Sequence, residues 1–177
     1  MSEFLFPDNT VLCNFAAVER LDLLREVLDG RGRWTQAVAR EARKSEQWHP
    51  ALQDLRQGWL GDAIRVTDQV DRDGILHIRT AVFGGSTTRV LQHLGEAETC
   101  YVIKNWAKFS GSWWISDDRE SLHYARSEGI ATAETRDVVR LAVQAGLTTA
   151  QGGFDLIQQM RDKGRHPRMP RSVAELA

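Results

Sequence analysis

The sequence predicts an α/β fold, a three-layer α/β/α sandwich around a central, mostly parallel sheet. Short apolar runs of strand length alternate with segments whose apolar residues recur at helical spacing, the pattern of βαβ units. Helices that cross between parallel strands cover both faces of such a sheet. No internal repeat or low-complexity segment interrupts that order. A chain of 177 residues suits one core, and it divides into a domain over residues 1–164 and a basic, Pro-containing tail over 165–177.

Each element follows from its own residues. "EFLF" at residues 3–6 is a first strand closed by Pro7, which delivers Asp8 just past its carboxyl end. Residues 10–30, ending at Gly30, read as a short helix and then a longer amphipathic one. A short strand is expected around Trp34, and Thr35 then caps a helix with Glu41 about two turns in. Residues 49–57 form a further helix, "WLGDAIRV" gives a weak strand signal, and "ILHIRTAVF" fits either element until Gly84-Gly85 breaks it. "GEAETCYVIKNWA" is a helix with acids in its first turn, where the helix dipole favours them. Residues 113–116 are a buried strand, "RESLHYARSEG" a helix closed by Gly129, and "IATA" the last strand. "TRDVVRLAVQAG" and "TAQGGFDLIQQMRDKG" are the closing helices.

Composition narrows the function. The charges nearly balance, with 23 Lys+Arg against 24 Asp+Glu, so any polyanion must be met by a local patch. No apolar run approaches the ~20 residues that span a bilayer, and the first six residues lack a signal-peptide pattern. A cytoplasmic protein without a membrane partner is the expectation. Cys13 and Cys100 have no metal-ligand spacing and read as buried thiols.

In an open parallel sheet, ligands sit beyond the carboxyl ends of the strands. Asp8 follows the first strand and Asp117/Asp118 follow a late one, so both face one crevice if those strands are neighbours. Glu41 and Glu96/Glu98 are the other acidic stations. Carboxylates gathered without cations repel, and a hard divalent ion, Mg²⁺ or Mn²⁺, relieves this with oxygen ligands. Two such ions about 3.5 to 4 Å apart can activate water and stabilise the leaving oxygen of a phosphodiester. Each acid also has an ordinary use. Asp8 and Asp117/Asp118 could cap helices, Glu41 could be a solvated surface acid, and Glu96 and Glu98 could serve the helix dipole. The last two lie two apart, so both cannot face one point on a regular helix.

The order of these stations resembles that of the PIN-domain nuclease family, which includes the VapC-like toxins of toxin–antitoxin pairs. The resemblance rests on "PDNTVLCNF", "TQAVAREA", "LGEAETCYVI" and "WWISDDRESLHYARSEGI" and spans about residues 4–164. It implies Asp8, Glu41, Glu98 and Asp118 as the catalytic, metal-binding quartet, with Glu96 and Asp117 as adjacent acids that assist or substitute. It also implies Ser116 as a hydroxyl orienting the site and Asn14 as a supporting residue behind the ligands. The segment after "GEAE" is bulkier than the family pattern, and residues 58–85 match nothing in it. The implied activity is a Mg²⁺- or Mn²⁺-dependent endoribonuclease, with RNA or DNA as substrate, a second copy of the chain as partner, and an antitoxin that blocks the site.

A nuclease must hold a polyanion through Lys and Arg. Candidates are Arg33, Arg40, Arg43 and Lys44 near Glu41, Arg89 before "GEAE", Lys104 and Lys108, and Arg161, Lys163, Arg165, Arg168 and Arg171 towards the terminus. The tail also reads as a solvated terminus. Trp34 and Trp48 offer stacking faces, although Trp more often sits in a core or interface. A rival from another class is a PIN-like module that binds RNA or protein without catalysis. Aspartyl-phosphate chemistry fits less well: Thr10 stands where a second aspartate would be needed, and the paired acids follow a late strand rather than the first.

Overall fold

The computed structural model of the chain describes residues 3–85 and 92–177. Its sheet is parallel, with β1 (Leu5–Pro7), β2 (Trp113–Ile115) and β3 (Ala131–Ala133) in that spatial order. Leu5 pairs with Trp113, Phe6 with Trp114 and Pro7 with Ile115. The strands that precede Asp8 and Asp117 are therefore neighbours, and their carboxyl ends lie side by side. Asp8 N donates to Ile115 O at 2.8 Å, which carries the ladder one residue past Pro7.

The helices are α1 (Asn9–Ala17), α2 (Leu21–Leu28), α3 (Gln36–Ser45), α4 (Gln69–His77), α5 (Leu94–Asn105), α6 (Arg119–Ser127), α7 (Thr135–Gln144) and α8 (Ala150–Asp162). A 3₁₀ segment covers Pro50–Gln57. Contrary to expectation, α2 is no longer than α1, with 8 residues against 9. Glu19 at φ 54° separates them and Asp29 at φ 45° stops α2 before Gly30. "ILHIRTAVF" is helical. Asp68 accepts from the Val70 and Asp71 N–H groups to start α4, and a π-helical turn over Ile78–Val82 continues it.

The strand expected around Trp34 does not form. Single bridges, Leu5 to Gly32 and Thr35 to Ile64, extend the sheet edge instead, and the second is all that remains of the "WLGDAIRV" strand. The reason is local: Gly32 is tightly packed and the chain turns into α3 three residues later. A Cβ on Gly32 would lie 2.7 Å from Leu60 Cδ2 and 3.0 Å from Leu28 Cδ1, and Thr35 already accepts from Val38 N to open α3. Too few residues remain between these two constraints for a ladder.

Strand residues alternate between two cores, as the pleat requires. Leu5, Ile115 and Ala133 pack with Leu12, Leu24, Val139 and Ile157 on one face. Phe6 and Trp114, both fully buried, pack with Val102, Leu122 and Ala125 on the other. Helices thus cover both sides, and the fold is the three-layer α/β sandwich with a parallel sheet. Among the described residues no helix is long and apolar enough to cross a membrane.

The segment after α8 packs onto the domain. Gly164, at φ 77°, takes the left-handed conformation. Its N–H donates to Arg161 O at 2.9 Å and the Arg165 N–H to Met160 O at 3.0 Å, a Schellman turn that reverses the chain. Pro167 and Pro170 are buried, and Leu176 enters the α1/α7/α8 core.

Candidate functional site

Asp8 occupies the N-cap position of α1, yet its side chain makes no capping bond. Its carboxylate instead accepts from Thr10 Oγ1 at 2.8 Å and Ser116 Oγ at 3.0 Å. Asp8 is buried, and burial, with Glu96 adding repulsion, pushes its pKa up to about 7. Ser116, wholly buried after β2, also accepts the Asp118 N–H at 3.1 Å. One hydroxyl therefore ties the ends of two strands together.

Glu41 reaches the same place from α3. Burial raises its pKa to about 8, with Asp8 and Glu96 contributing repulsion. The Gly95 N–H, in the first turn of α5, bonds its carboxylate. Glu96, one residue on, faces both acids electrostatically and lies 3.4 Å from His93 Nδ1.

Glu98 does a different job. It accepts the Ala37 N–H at 3.3 Å, is bonded by Thr35 and feels the charge of Arg40. Its carboxylate serves the N-terminus of α3, where N–H groups lack helical partners. Two positions along α5 separate its direction from that of Glu96, so only Glu96 faces Asp8 and Glu41 electrostatically.

Asp117 and Asp118 also part company. Asp117 accepts from Thr135 N at 2.9 Å, Thr135 Oγ1 at 2.6 Å and Asn14 Nδ2 at 2.6 Å. Burial nevertheless raises its pKa. Asp118 caps α6 by accepting the Ser121 N–H at 2.7 Å. Asn14 is buried and stands between Asp117 and Arg165, whose Nε donates to Asn14 Oδ1 at 2.9 Å. That orientation of the amide is the one that satisfies both a carboxylate and a guanidinium.

The structure thus brings Asp8, Glu41 and Glu96 into mutual electrostatic contact, with Asp117 beside them on the Asn14–Thr135 relay. Among the described residues, no three His, Cys, Asp or Glu side chains converge closely enough to grip an ion as they stand. The two observations differ in range. Charge repulsion in a buried pocket acts over several ångströms, whereas coordination needs contacts near 2.0–2.1 Å for Mg²⁺. An all-carboxylate donor set suits a hard cation.

Of the predicted basic residues, Lys44 acts on Glu41. Arg40 bonds Gln36 and Arg33 bonds the Gly30 and Gly32 carbonyls. Arg43 lines a separate cavity with Trp34 and Glu46. Arg89 lies outside the described residues. Trp34 Nε1 bonds Gly61 O and the ring packs on the core, whereas Trp48 is 69% exposed. Thr10, Thr135 and Gly95 were not singled out as parts of the site by the sequence, and Arg165 was named only as a phosphate contact in the tail. Thr10, two residues past the strand-end Asp8, was the legible one.

An α/β sandwich with buried acids at the carboxyl ends of adjacent parallel strands defines the class of protein. The family model that matches is the PIN domain, over residues 6–175. The chain belongs to the PIN-domain family, whose fold is of nuclease type and whose nucleases typically use divalent metals. No curated protein and no solved structure matches it.

Proposed function

We propose that the protein is a Mg²⁺- or Mn²⁺-dependent endoribonuclease whose acids are Asp8, Glu41 and Glu96, with Asp117 supporting them. The observation that carries this reading is the burial of two acids at one place, Asp8 held by Ser116 and Thr10 and Glu41 beside Gly95: burial pushes their carboxyls up to about 7 and about 8, and Glu96 adds repulsion to both. Such an arrangement costs folding free energy unless a cation relieves it. A divalent ion there would supply Lewis-acid charge to a phosphoryl oxygen and lower the pKa of water. The chain's own part is orientation. Ser116 and Thr10 hold Asp8, the Gly95 N–H holds Glu41, and burial keeps bulk water from screening their charge.

The reading extends to partners. RNA is the expected substrate, with DNA as the alternative, and a second copy of the chain and an antitoxin peptide are the expected proteins, in the cytoplasm. A role as the toxin of a toxin–antitoxin pair rests on family resemblance. The looseness of the acids as they stand favours a second reading, a PIN-like module that binds RNA or protein without cutting.

Cleavage of a mixed set of structured and single-stranded RNAs, with Mg²⁺, Mn²⁺ or EDTA and with the Asp8→Asn protein alongside, tests the reading. Metal-dependent cutting that Asp8→Asn loses supports the nuclease. Undiminished cutting by Asp8→Asn excludes this site, and no cutting under any metal by folded protein favours the binding module.

A further inference from the structure

Arg165 lies beside the acids without pairing with any of them. Its Nε donates to Asn14 Oδ1 at 2.9 Å and its Nη2 to Thr10 O at 3.4 Å, both neutral acceptors. Among the described residues its guanidinium meets no carboxylate at ion-pair distance. Its charge still reaches two neighbours: burial raises the Cys13 thiol and Arg165 opposes that shift, while burial lowers His49 and Arg165 adds to it. A half-buried guanidinium with spare donors, fixed next to a carboxylate pocket, is matched to a planar oxyanion.

Further along the tail, Arg168 approaches Glu134 at 3.9 Å, and Arg136 meets the same carboxylate at 3.0 Å. Glu134 in turn acts on Asp117, which places this pair at the edge of the acid site. From there Arg136, Arg140, Arg168 and Arg171 line a cavity of about 330 Å³ whose lining acids are Asp137 and Glu175. Guanidinium groups outnumber carboxylates in that lining. Solvent-facing ion pairs such as Arg171–Glu175 and Arg140–Asp137 contribute little, so phosphate oxygens can displace those carboxylates.

On the other flank stands Trp48, 69% exposed. Its N–H donates to Ser45 O at 3.0 Å, and Ser45 Oγ accepts from Asn9 Nδ2 at 3.2 Å, next to Asp8. An exposed indole one residue from His49, which the Arg165 charge reaches, is a stacking platform for an unpaired base.

We propose that residues 165–171, with Arg136 and Arg140, form the phosphate-binding rim of the acid site and that the ligand is the backbone of an unpaired nucleic-acid strand stacked on Trp48. The inference deepens the nuclease reading and rests on it for what happens at the acids. Arg165 seats a phosphate beside the reacting one and Arg168 and Arg171 seat those that follow.

Fluorescence anisotropy with the Asp8→Asn protein, which binds without cutting, tests this on a short labelled single-stranded RNA, its DNA counterpart and a duplex over a salt series. The Arg168→Ala/Arg171→Ala protein should bind single strands about tenfold more weakly, with the salt slope reduced by about 0.7 for each arginine lost. Arg168→Lys/Arg171→Lys should keep the slope, separating charge from folding. Trp48→Ala should weaken single strands by about tenfold or more and leave duplex binding unchanged. RNA and DNA bound alike would mark recognition of phosphate alone, while RNA bound more tightly would add a ribose contact to the same rim. An unchanged slope in Arg168→Ala/Arg171→Ala, or no binding at all, overturns the rim whatever the cleavage assay gives. Duplex bound as tightly as single strands, with Trp48→Ala silent, overturns the unpaired strand. A rim that behaves as expected in a protein that cuts nothing leaves this inference standing and removes the nuclease.

Discussion

Glu41 lies directly against Gly95: a Cβ on Gly95 would stand 2.9 Å from Glu41 Oε1 and 3.2 Å from Oε2. The absent side chain lets the first turn of α5 present its backbone N–H to the α3 acid. Helix preference opposes glycine there by up to about 1 kcal/mol relative to alanine.

Gly95→Ala should therefore separate stability from activity. We expect an unchanged or higher melting temperature, because the flexible Glu41 carboxylate can swing aside. Metal-dependent cleavage should fall by about tenfold or more, since a misplacement of about 1 Å can cost 10²-fold. Melting curves beside cleavage rates of the same preparation check it.

Stability should depend on pH in a direction set by Asp8 and Glu41. Their folded pKa values, about 7 and about 8, lie above the ordinary 3.8 and 4.5. Between about pH 4 and pH 8 the native state holds protons that the unfolded chain has released, so its stability falls as pH rises. The contribution is complete below about pH 4 and lost above about pH 8. Without divalent ions, the urea midpoint should be lower at about pH 8.5 than at about pH 5, flatten in Asp8→Asn/Glu41→Gln, and recover when Mg²⁺ is added. A midpoint that rises with pH would contradict the raised values.

Glu96→Gln and Glu98→Ala should behave oppositely. Glu96 faces Asp8 and Glu41, so its neutralisation should abolish cleavage and leave the fold intact. Glu98 supports the start of α3, and Glu98→Ala should cost about 1 kcal/mol, as lost caps do, with metal dependence retained. Denaturation midpoints and Mg²⁺ titrations of activity distinguish the two.

Asp118→Asn should be nearly silent in stability, because Asn caps a helix about as well as Asp, whereas Asp118→Ala should lose about 1 kcal/mol. Asp117→Asn replaces an acceptor bonded by Thr135 and Asn14 with a group whose amide must face donors. We expect it to cost about 1–3 kcal/mol and to lower cleavage more than Asp118→Asn does.

Leu176→Ala should destabilise the whole domain by about 2–5 kcal/mol, although it lies one residue from the terminus, because the side chain is 2% exposed. Chemical denaturation measures it; a loss under about 0.5 kcal/mol would mean a tail that merely rests on the surface.

Much of the site was legible where chemistry is local. Pro7 closing a strand, Thr35 opening a helix and Ser116 between a strand and two acids are each set by neighbours within a turn, and the structure keeps all three. Glu96 against Glu98 was not legible, because helix phase relative to α1 and α3 is a packing outcome. The Trp34 strand failed for a similar reason: Leu28 and Leu60 crowd Gly32 from outside its own segment. Arg165 meets Asn14 across 151 residues, and no periodicity carries a contact of that span. The tail's Pro and Arg content suggested a solvated end, yet Pro167, Pro170 and Leu176 are what hold it down.

The bond from Ser116 to Asp8 joins residues 108 apart in the chain, and β1 has no ladder partner among the strands until β2 is made. Folding must therefore close a long loop before the first acid acquires its setting, a search that slows assembly as sequence separation grows. During synthesis the amino-terminal strand waits, exposed, for more than half of the polypeptide to appear. A ribosome stalled before residue 113 would carry Asp8 and Glu41 in a chain without the strand that aligns them.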